Sequence, residues 1–457
     1  MTEPMLKQEK SADQNLSDEF VRLPDNAVSA KYTEQVNQAL QEKAYLTAEF
    51  SALAAICARP DFHRAYHLLG TALEAQGHDA EARCCYQGEL PHSIIDRMGL
   101  VQREKSAFKW PDCQRVYVHT NEVNQFKCPE FSGAVPRAEF SRTTYQSTPT
   151  SVDTLKGGVT WHDGHNTLVC DSEFNEVTEH SIGNVSLVNK LTLSKTPVYV
   201  GKRAVLLGAR GHGNYYHWLT DVLPKLEVLK QSGFEFQSED VVILPRLSAG
   251  FQLETLEKFG ISKRQIYQTH KNSPWITADS LTVPYLQNTM ALTMGRWLPH
   301  FLKAFFLSPE IGIFDATEKI FVARDPGKKG GRRLPNYDEV IEEFKGKGFR
   351  VVFPEDYTVW QQAEIFARAR VVAAPHGAGL TNIIFCQPGT RVIEYFGEHI
   401  APCYWAICNL LDLRYTPVDC RENPNCAPGG EILQARTLAQ RRQSGFRITK
   451  QKISEIE

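Results

Sequence analysis

The sequence predicts two α/β domains behind a short helical segment, and three observations lead to this prediction. The chain has 457 residues, more than one hydrophobic core normally holds. Between about residues 30 and 91 the apolar residues recur at three- and four-residue spacing, which is typical of amphipathic helices. From about residue 204 onward, short apolar runs alternate with amphipathic segments, a pattern that indicates parallel strands with crossover helices.

The composition is that of an average globular protein, with 42% hydrophobic residues, 23% charged residues and a net charge of -2. This balance argues against a nucleic-acid partner. No segment approaches the roughly 18 consecutive apolar residues of a membrane span, and the polar start lacks an apolar signal core. Eleven cysteines without CxxC pairs suggest reduced thiols. We therefore expect a cytoplasmic protein without a membrane span, and peripheral association at the inner face of the membrane stays open.

The N-terminal part is expected to contain a disordered leader, residues 1–28, and a helical segment, residues 29–92. The run AYHLLGTALEAQGHDAEARCCYQGELP has the residue order of one tetratricopeptide unit. Its key positions are Leu69, Gly70, Leu73, Gly77, Ala82 and Tyr86. One helix pair cannot bury its apolar face alone. The segment is therefore either a dock for a protein partner or a cap on the α/β body.

The first α/β domain is predicted over residues 93–290 and the second, Rossmann-like domain over residues 291–430. Strands are expected in AVLLGAR, VVILP, RQIYQT and SLTVPYL, then in KIFVARD, FRVVFPE, RVVAAP and TRVIEYFG. Open sheets of this kind bind ligands beyond the carboxyl ends of their strands. The loops after the strands of the second domain should therefore line a site. A partly helical tail, residues 431–457, is expected to cross back to the first domain.

The loop PHGAGLTN follows a buried strand and precedes a predicted helix. Small residues let the backbone approach a ligand, and unpaired N–H groups at a helix start attract anions. We predict phosphate binding by His376, Gly377, Ala378, Gly379 and Asn382. The alternative is that the glycines are needed only for the tight turn.

A basic loop, RDPGKKGGRR, lies beyond the end of another strand of the same sheet. Guanidinium groups bind phosphate bidentately, so Arg324, Arg332 and Arg333 are candidate phosphate ligands. A solvated basic turn is the alternative. Glu394 ends a later strand, where a carboxylate can bind a ribose diol or serve the fold alone.

In the first domain, GHGNYYHWLTD places His217 and Asp221 four residues apart, on one face of a helix. An imidazole beside a carboxylate is a plausible acid/base pair, and which of the two is the base stays open. A merely structural pinning of the helix is the alternative. Asn214 and Trp218 are candidate sugar contacts, although core packing of the aromatic residue is an alternative.

The motifs GNYYHWLTDVLPKL, RRLPN and PHGAGLTNIIFCQPGTRVIEYF, in this order, resemble glycosyltransferase family 61 over about residues 205–400. The resemblance implies an inverting transfer on a GT-B type architecture, in which two Rossmann-like domains face a cleft and the second binds the nucleotide sugar. Members of this family include bacterial capsule and surface-polysaccharide enzymes, so the resemblance implies such a role. A glycan or glycolipid would be the acceptor.

The chain contains no D-x-D triplet, and its basic loop can neutralise a diphosphate. We therefore expect no metal and no cofactor besides the nucleotide-sugar co-substrate. Two other classes stay open at this point. One is a non-catalytic nucleotide-binding interaction protein that docks partners through the helical segment. The other is a phosphate-ester hydrolase. The sequence offers neither a convincing nucleophile motif nor paired metal carboxylates for this activity.

Overall fold

The computed structural model divides the chain into two compact units. It describes residues 25–58, 63–88, 90–91, 93–94, 113–131, 140–162, 166–177, 179–181, 197–209, 211–269, 275–288, 290–307, 316–324, 334–421 and 446–454. The first unit comprises Met1–Pro111, Gly157–Tyr199 and Asn272–Thr277, and the second comprises Asp112–Lys156, Val200–Lys271 and Ala278–Glu457. A compact unit is not necessarily a functional domain, so the predicted domain boundaries stay predictions.

The first unit begins with helices that share an apolar core. They are α1 (Asp25–Gln41), α2 (Tyr45–Ala58), α3 (His63–Glu74) and α4 (Asp79–Tyr86). Helix α1 begins inside the predicted leader, whose residues 1–24 lie outside the described residues. A Cβ on Gly70 would lie 2.6 Å from the Tyr86 ring, and Gly77 has a φ of +83° in the turn between α3 and α4. The helix pair is observed, while its assignment as a tetratricopeptide repeat stays a prediction.

The strands form separate sheets in the two units. In chain order they are β1 (Cys113–His119), β2 (Val123–Gln125), β3 (Thr144–Gln146), β4 (Thr150–Lys156), β5 (Val159–His162), β6 (Thr167–Cys170), β7 (Val198–Tyr199), β8 (Arg203–Leu206), β9 (Val241–Pro245), β10 (Ile266–Thr269), β11 (Ile276–Thr277), β12 (Ser280–Tyr285), β13 (Glu318–Val322), β14 (Arg350–Val352), β15 (Ala369–Pro375), β16 (Arg391–Phe396) and β17 (Arg414–Asp419). A four-stranded sheet of the first unit has the order β6-β5-β11-β7. The segment expected to belong wholly to the first α/β domain thus also supplies a sheet of the first unit.

The second unit contains a six-stranded sheet in the order β1-β4-β12-β8-β9-β10. Strands β12, β8, β9 and β10 are parallel, as the alternating pattern predicts. Strand β4 pairs antiparallel with β12, and β1 pairs antiparallel with β4. The sheet is therefore mixed, because strands from the segment before residue 157 pair with its edge.

A five-stranded parallel sheet with the order β14-β13-β15-β16-β17 completes the second unit, and β2 and β3 form a short antiparallel two-stranded sheet. The described α-helices of this unit with five residues or more are α5 (Pro224–Gln231), α6 (Gly250–Lys258), α7 (Trp297–Phe306), α8 (Tyr337–Gly346), α9 (Val359–Ala367), α10 (Cys403–Leu410) and α11 (Lys450–Ser454). One apolar cluster includes residues of both sheets, for example Val205 and Val372. These elements confirm a mixed α/β fold, whereas the arrangement of two Rossmann-like domains stays a prediction.

The described C-terminal residues, 446–454, pack on the five-stranded sheet. Phe446, Ile448 and Ile453 are buried in a cluster with Phe321 and Tyr395, which belong to the five-stranded sheet. The expectation for the described part of the tail is corrected accordingly, and residues 431–445 lie outside the described residues. Among the helices of the described ranges, none has the length and apolar character needed to cross a membrane.

Candidate active site

The predicted acid/base pair lies on a short helical segment that follows the loop after β8. Asn214 caps this segment, since its Oδ1 accepts a hydrogen bond from the backbone N of Tyr216 at 2.9 Å. His217 Nδ1 lies 2.7 Å from Asp221 Oδ2, and the two side chains are 43% and 19% exposed. The structure thus brings the pair into contact at a place that solvent and ligands can reach.

A proline explains the local geometry of this pair. Pro224 has no N–H, so it cannot donate to the carbonyl four residues earlier, that of Thr220. The chain forms a π-helical turn over Trp218–Val222 directly before it. Asn288 Nδ2 donates to the released Thr220 carbonyl at 2.7 Å and lies 3.4 Å from Asp221 Oδ1. Asn288 therefore provides the missing hydrogen-bond donor for the Thr220 carbonyl and also contacts the carboxylate of Asp221.

Both carboxylate oxygens of Asp221 accept hydrogen bonds. Oδ2 faces His217, and Oδ1 accepts from Thr220 Oγ1 at 3.1 Å. Gly211 packs against the imidazole, because a Cβ at that position would lie 2.7 Å from His217 Cδ2. The residue also has a φ of +74°, which favours glycine. With Nδ1–H donating to Asp221, the imidazole would present Nε2 as a hydrogen-bond acceptor.

Lys225 is a buried cation beside this pair that sequence reasoning missed. Its Nζ donates to the carbonyl of Gly208 at 2.7 Å, and the side chain is buried. Burial lowers the pKa of Lys225 to about 8, and the negative charge of Asp221 opposes this shift. Its spacing of four residues from Asp221 was the available signal.

Arg324 follows β13 and is fixed by two hydrogen bonds. Its backbone N donates to the Tyr337 hydroxyl at 2.8 Å, and its Nη2 donates to the carbonyl of His376 at 2.6 Å. Burial lowers the pKa of the guanidinium from its usual value, but arginine stays charged at neutral pH. The structure thus joins Arg324 to the loop PHGAGLTN, residues 375–382, which we call the glycine loop. Arg332 and Arg333, the other two candidate arginines of the basic loop, lie outside the described residues.

The glycine loop is closely packed against Arg324. A Cβ on Gly377 would lie 1.4 Å from Arg324 Nη2, so only glycine fits beside the guanidinium. A Cβ on Gly379 would be tight against β13, at 3.2 Å from Val322 Cγ1. The predicted helix that follows is a 3-10 helix over Ala378–Phe385. Gly377 therefore packs closely against the guanidinium of Arg324, and Gly379 packs against the apolar side chain of Val322.

His376 belongs to a buried polar network. Its Nδ1 is hydrogen-bonded to Glu394 Oε1, and the Tyr415 hydroxyl donates to Glu394 Oε2 at 2.5 Å. Glu394 is 0% exposed. A ribose cannot reach a carboxylate in this position, so the expected ribose contact at Glu394 does not fit the structure. Glu394 instead orients the His376 ring.

Asn382 and Trp218 also lie inside the protein. Asn382 Nδ2 donates to Gln362 Oε1 at 2.7 Å, and its Oδ1 accepts from the Tyr215 hydroxyl at 2.7 Å. Trp218 is fully buried, and its Nε1 donates to Thr255 Oγ1 at 2.9 Å. Neither side chain offers a surface for the phosphate or sugar contact that the sequence suggested. The Tyr215 bond to Asn382 nevertheless brings the two motifs together across 167 residues.

A cleft of about 200 Å³ lies where these motifs meet. Tyr215 and Phe251 line it on the side of the six-stranded sheet. On the other side it is lined by residues at the carboxyl ends of the parallel strands and their loops, which are Val322, Ala323, Arg324, Pro354, Glu355, Gln362, Ala374, Pro375, Gly377, Gly379 and Leu380. This is where open α/β sheets bind ligands. The walls are largely apolar and carry one arginine, Arg324, and one carboxylate, that of Glu355. Such a lining suits a ligand that has a ring and an anionic group beside the arginine.

A second contact joins the acid/base pair to the glycine loop. The rings of Tyr216 and Tyr404 meet edge to face, with centroids 5.9 Å apart. The Tyr404 hydroxyl donates to the carbonyl of Gly377 at 2.7 Å. Within the described part of the chain, no three histidine, cysteine, aspartate or glutamate side chains form a group that could bind a metal ion.

Comparison with known families identifies the segment that carries both motifs. The model of the Glycosyltransferase 61 family matches residues 215–393. The match supports the resemblance to glycosyltransferase family 61 that the motifs indicated. It begins at Tyr215 and ends one residue before Glu394, so it includes His217, Asp221, Arg324 and the glycine loop. The mixed α/β fold is compatible with a glycosyltransferase. No curated protein matches the chain.

Proposed function

We propose that the protein is an inverting glycosyltransferase that moves a sugar from a nucleotide sugar to an acceptor hydroxyl without a metal ion or other cofactor. One observation carries the proposal. An exposed histidine paired with a carboxylate lies on the same short segment as Tyr215, which lines the cleft that contains Arg324 and the glycine loop. The candidate base and the candidate anion-binding group thus lie on two motifs that meet at this cleft.

The donor is assigned to the cleft at the carboxyl ends of the parallel strands. Arg324 would bind the diphosphate, and the backbone around Gly377 and Gly379 would allow the phosphates to approach. The nucleobase of the donor would lie against the apolar walls near Phe251. His376 contributes through its carbonyl, which holds Arg324, and through its ring in the network with Glu394.

We assign the base to His217 and an orienting role to Asp221. Both oxygens of Asp221 already accept hydrogen bonds, whereas His217 is more exposed and can present Nε2 to the acceptor. In the reaction, the acceptor oxygen forms a bond to the anomeric carbon while the bond from that carbon to the diphosphate breaks. The hydroxyl proton passes to His217 Nε2, and Arg324 stabilises the departing charge.

For the biological setting, we propose synthesis of a bacterial capsule or surface polysaccharide in the cytoplasm, with a glycan or glycolipid as acceptor. The support is the average charge and the reduced cysteines expected from the composition. Docking of a protein partner by helices α1 to α4 remains part of this proposal.

The first test is a thermal-shift screen against UDP-, GDP-, CMP- and dTDP-sugars, with and without EDTA. A stabilising shift that EDTA does not remove would identify the donor class. Transfer is then measured with that donor for His217→Ala and Asp221→Asn. We expect both to lose about a hundredfold or more in kcat while the donor shift persists.

His300→Ala is the matched control, because His300 is an exposed histidine on α7. It should retain wild-type turnover. Full turnover in His217→Ala would show that the base assignment is wrong, and full turnover in Asp221→Asn would contradict the orienting role. Nucleotide binding with neither transfer nor donor hydrolysis by the wild type would favour the non-catalytic interaction protein.

A further inference from the structure

A row of cations lies at the edge of the five-stranded sheet opposite its carboxyl ends. Each of its strands has a basic residue at or next to its first position. In the order of the sheet these are Arg350, Lys319, Arg370, Arg391 and Arg414. Since the strands are parallel and about 4.8 Å apart, the row extends over roughly 19 Å.

The backbone register places several of these cations side by side. Arg391 is the direct partner of Arg414 on the neighbouring strand, and Lys319 pairs with Val371, next to Arg370. Like charges on neighbouring strands destabilise a sheet. Arg414 has a long, exposed ion pair with Glu130 at 3.5 Å, and an anionic ligand along the row would reduce the remaining repulsion.

The middle of the row borders two cavities of about 390 and 240 Å³. Lys319, Lys347 and Arg370 line both cavities. Arg350 also lines the first, and Arg391 also lines the second. Among the described residues that line them, Glu318 is the acidic side chain, so five cations face one carboxylate. The whole chain has a net charge of -2, so this local excess is not a property of the composition.

For Arg370, Lys319 and Arg350, the contacts within the protein leave much of the charge uncompensated. Arg370 Nε donates to the carbonyl of Thr317 at 2.9 Å, which fixes the guanidinium plane and leaves its Nη groups for a ligand. Lys319 Nζ is 3.4 Å from the carbonyl of Lys347, which carries no net charge. Arg350 is 3.4 Å from Glu318, a long ion pair with half-exposed partners.

We propose that this edge is a second anion site, which binds a ligand with at least two phosphate-type groups. Arg370 and Lys319 hold one group at the shared wall of the two cavities, and Arg350 and Arg391 reach a second group on either side. The site is distinct from the cleft at Arg324, because the carboxyl and amino ends of parallel strands lie at opposite edges of a sheet. It does not depend on the transferase proposal.

The experiment is calorimetric titration of the full chain with tripolyphosphate. The test variant is Lys319→Gln/Arg370→Gln, and the matched control is Lys230→Gln/Arg264→Gln, which removes two exposed cations elsewhere. Arg324→Gln separates binding in the cleft. We expect the test variant to bind about tenfold more weakly or worse, and the control and Arg324→Gln to retain a wild-type binding event.

The source of the phosphate groups is distinguished by co-sedimentation with phosphatidylcholine vesicles that contain or lack phosphatidylglycerol. Sedimentation with the anionic vesicles that the test variant loses assigns a lipid headgroup, and tripolyphosphate binding without sedimentation assigns a soluble ligand. Equal tripolyphosphate affinity of the wild type and the test variant would overturn the proposal. So would the absence of binding to both tripolyphosphate and anionic vesicles by the wild type.

Discussion

Replacing Gly377 by alanine should weaken donor use by displacing Arg324. The added Cβ would lie 1.4 Å from Arg324 Nη2, whereas ordinary contact begins at 3.4 Å. The guanidinium must therefore retreat by about 2 Å, since the Cβ is bonded to backbone and cannot yield. This movement breaks the 2.6 Å hydrogen bond from Nη2 to the His376 carbonyl.

The expected size of the effect comes from the charge on Arg324. A hydrogen bond that involves a charged group contributes about 1.5–3 kcal/mol, and about 1.4 kcal/mol corresponds to a tenfold change. If Arg324 binds the diphosphate, Gly377→Ala should lower kcat/KM for the donor by about tenfold to a hundredfold. Crowding at the new methyl group should also lower the free energy of unfolding by about 1–3 kcal/mol.

The assay is steady-state transfer at varied donor concentration, together with urea unfolding. Gly346→Ala is the matched control, because a Cβ there has no atom within 4 Å and its φ is not positive. A double-mutant cycle with Arg324→Gln tests the route of the effect. Gly377→Ala/Arg324→Gln should be no worse in kcat/KM than Arg324→Gln alone. A folded Gly377→Ala protein with wild-type kcat/KM would refute the role given to Arg324.

Three further predictions concern the first motif. The folded state releases the Lys225 proton near pH 8 and the unfolded state only near pH 10.5, so the wild-type free energy of unfolding should rise relative to that of Lys225→Met between these pH values, by up to about 3 kcal/mol. Urea unfolding across this interval measures the difference, and parallel pH profiles of the two proteins would contradict the prediction. Tyr215→Phe leaves the buried Asn382 Oδ1 without its 2.7 Å donor and should cost about 1–3 kcal/mol in the same assay, whereas an unchanged urea midpoint would argue against that bond. Gly211→Ala should lower kcat, since its Cβ would displace the His217 ring, and an unaltered kcat in a folded variant would count against the assigned base.

The strands and helices of the second sheet could be predicted closely where the apolar period is strong. The run NYDEVIEEFKGKG forms helix α8, and TRVIEYFG contains strand β16. Helix α10 was not predicted, because CYWAICNL is buried on nearly every face and therefore has no polar side to reveal its period. The antiparallel addition of β1 and β4 was also missed, since it pairs segments that are distant in sequence.

For the site, local spacing was informative and residue type alone was not. The four-residue interval between His217 and Asp221 predicted a contact that the structure contains. Trp218, Asn382 and Glu394 have the chemistry of ligand-binding residues, yet each is fully buried by contacts from elsewhere in the chain. Burial depends on tertiary packing, which a motif does not describe.

The choice between His217 and Asp221 as base illustrates the same limit. The motif presents an imidazole and a carboxylate that are equally able to accept a proton, so the sequence leaves both open. What distinguishes them is Asn288, which is 67 residues away and reaches Asp221 because Pro224 has released the carbonyl of Thr220. A carboxylate whose two oxygens already accept hydrogen bonds is better suited to orient its partner than to accept a proton from the substrate. The proline in the motif thus supports His217 as the base through a residue that the motif does not contain.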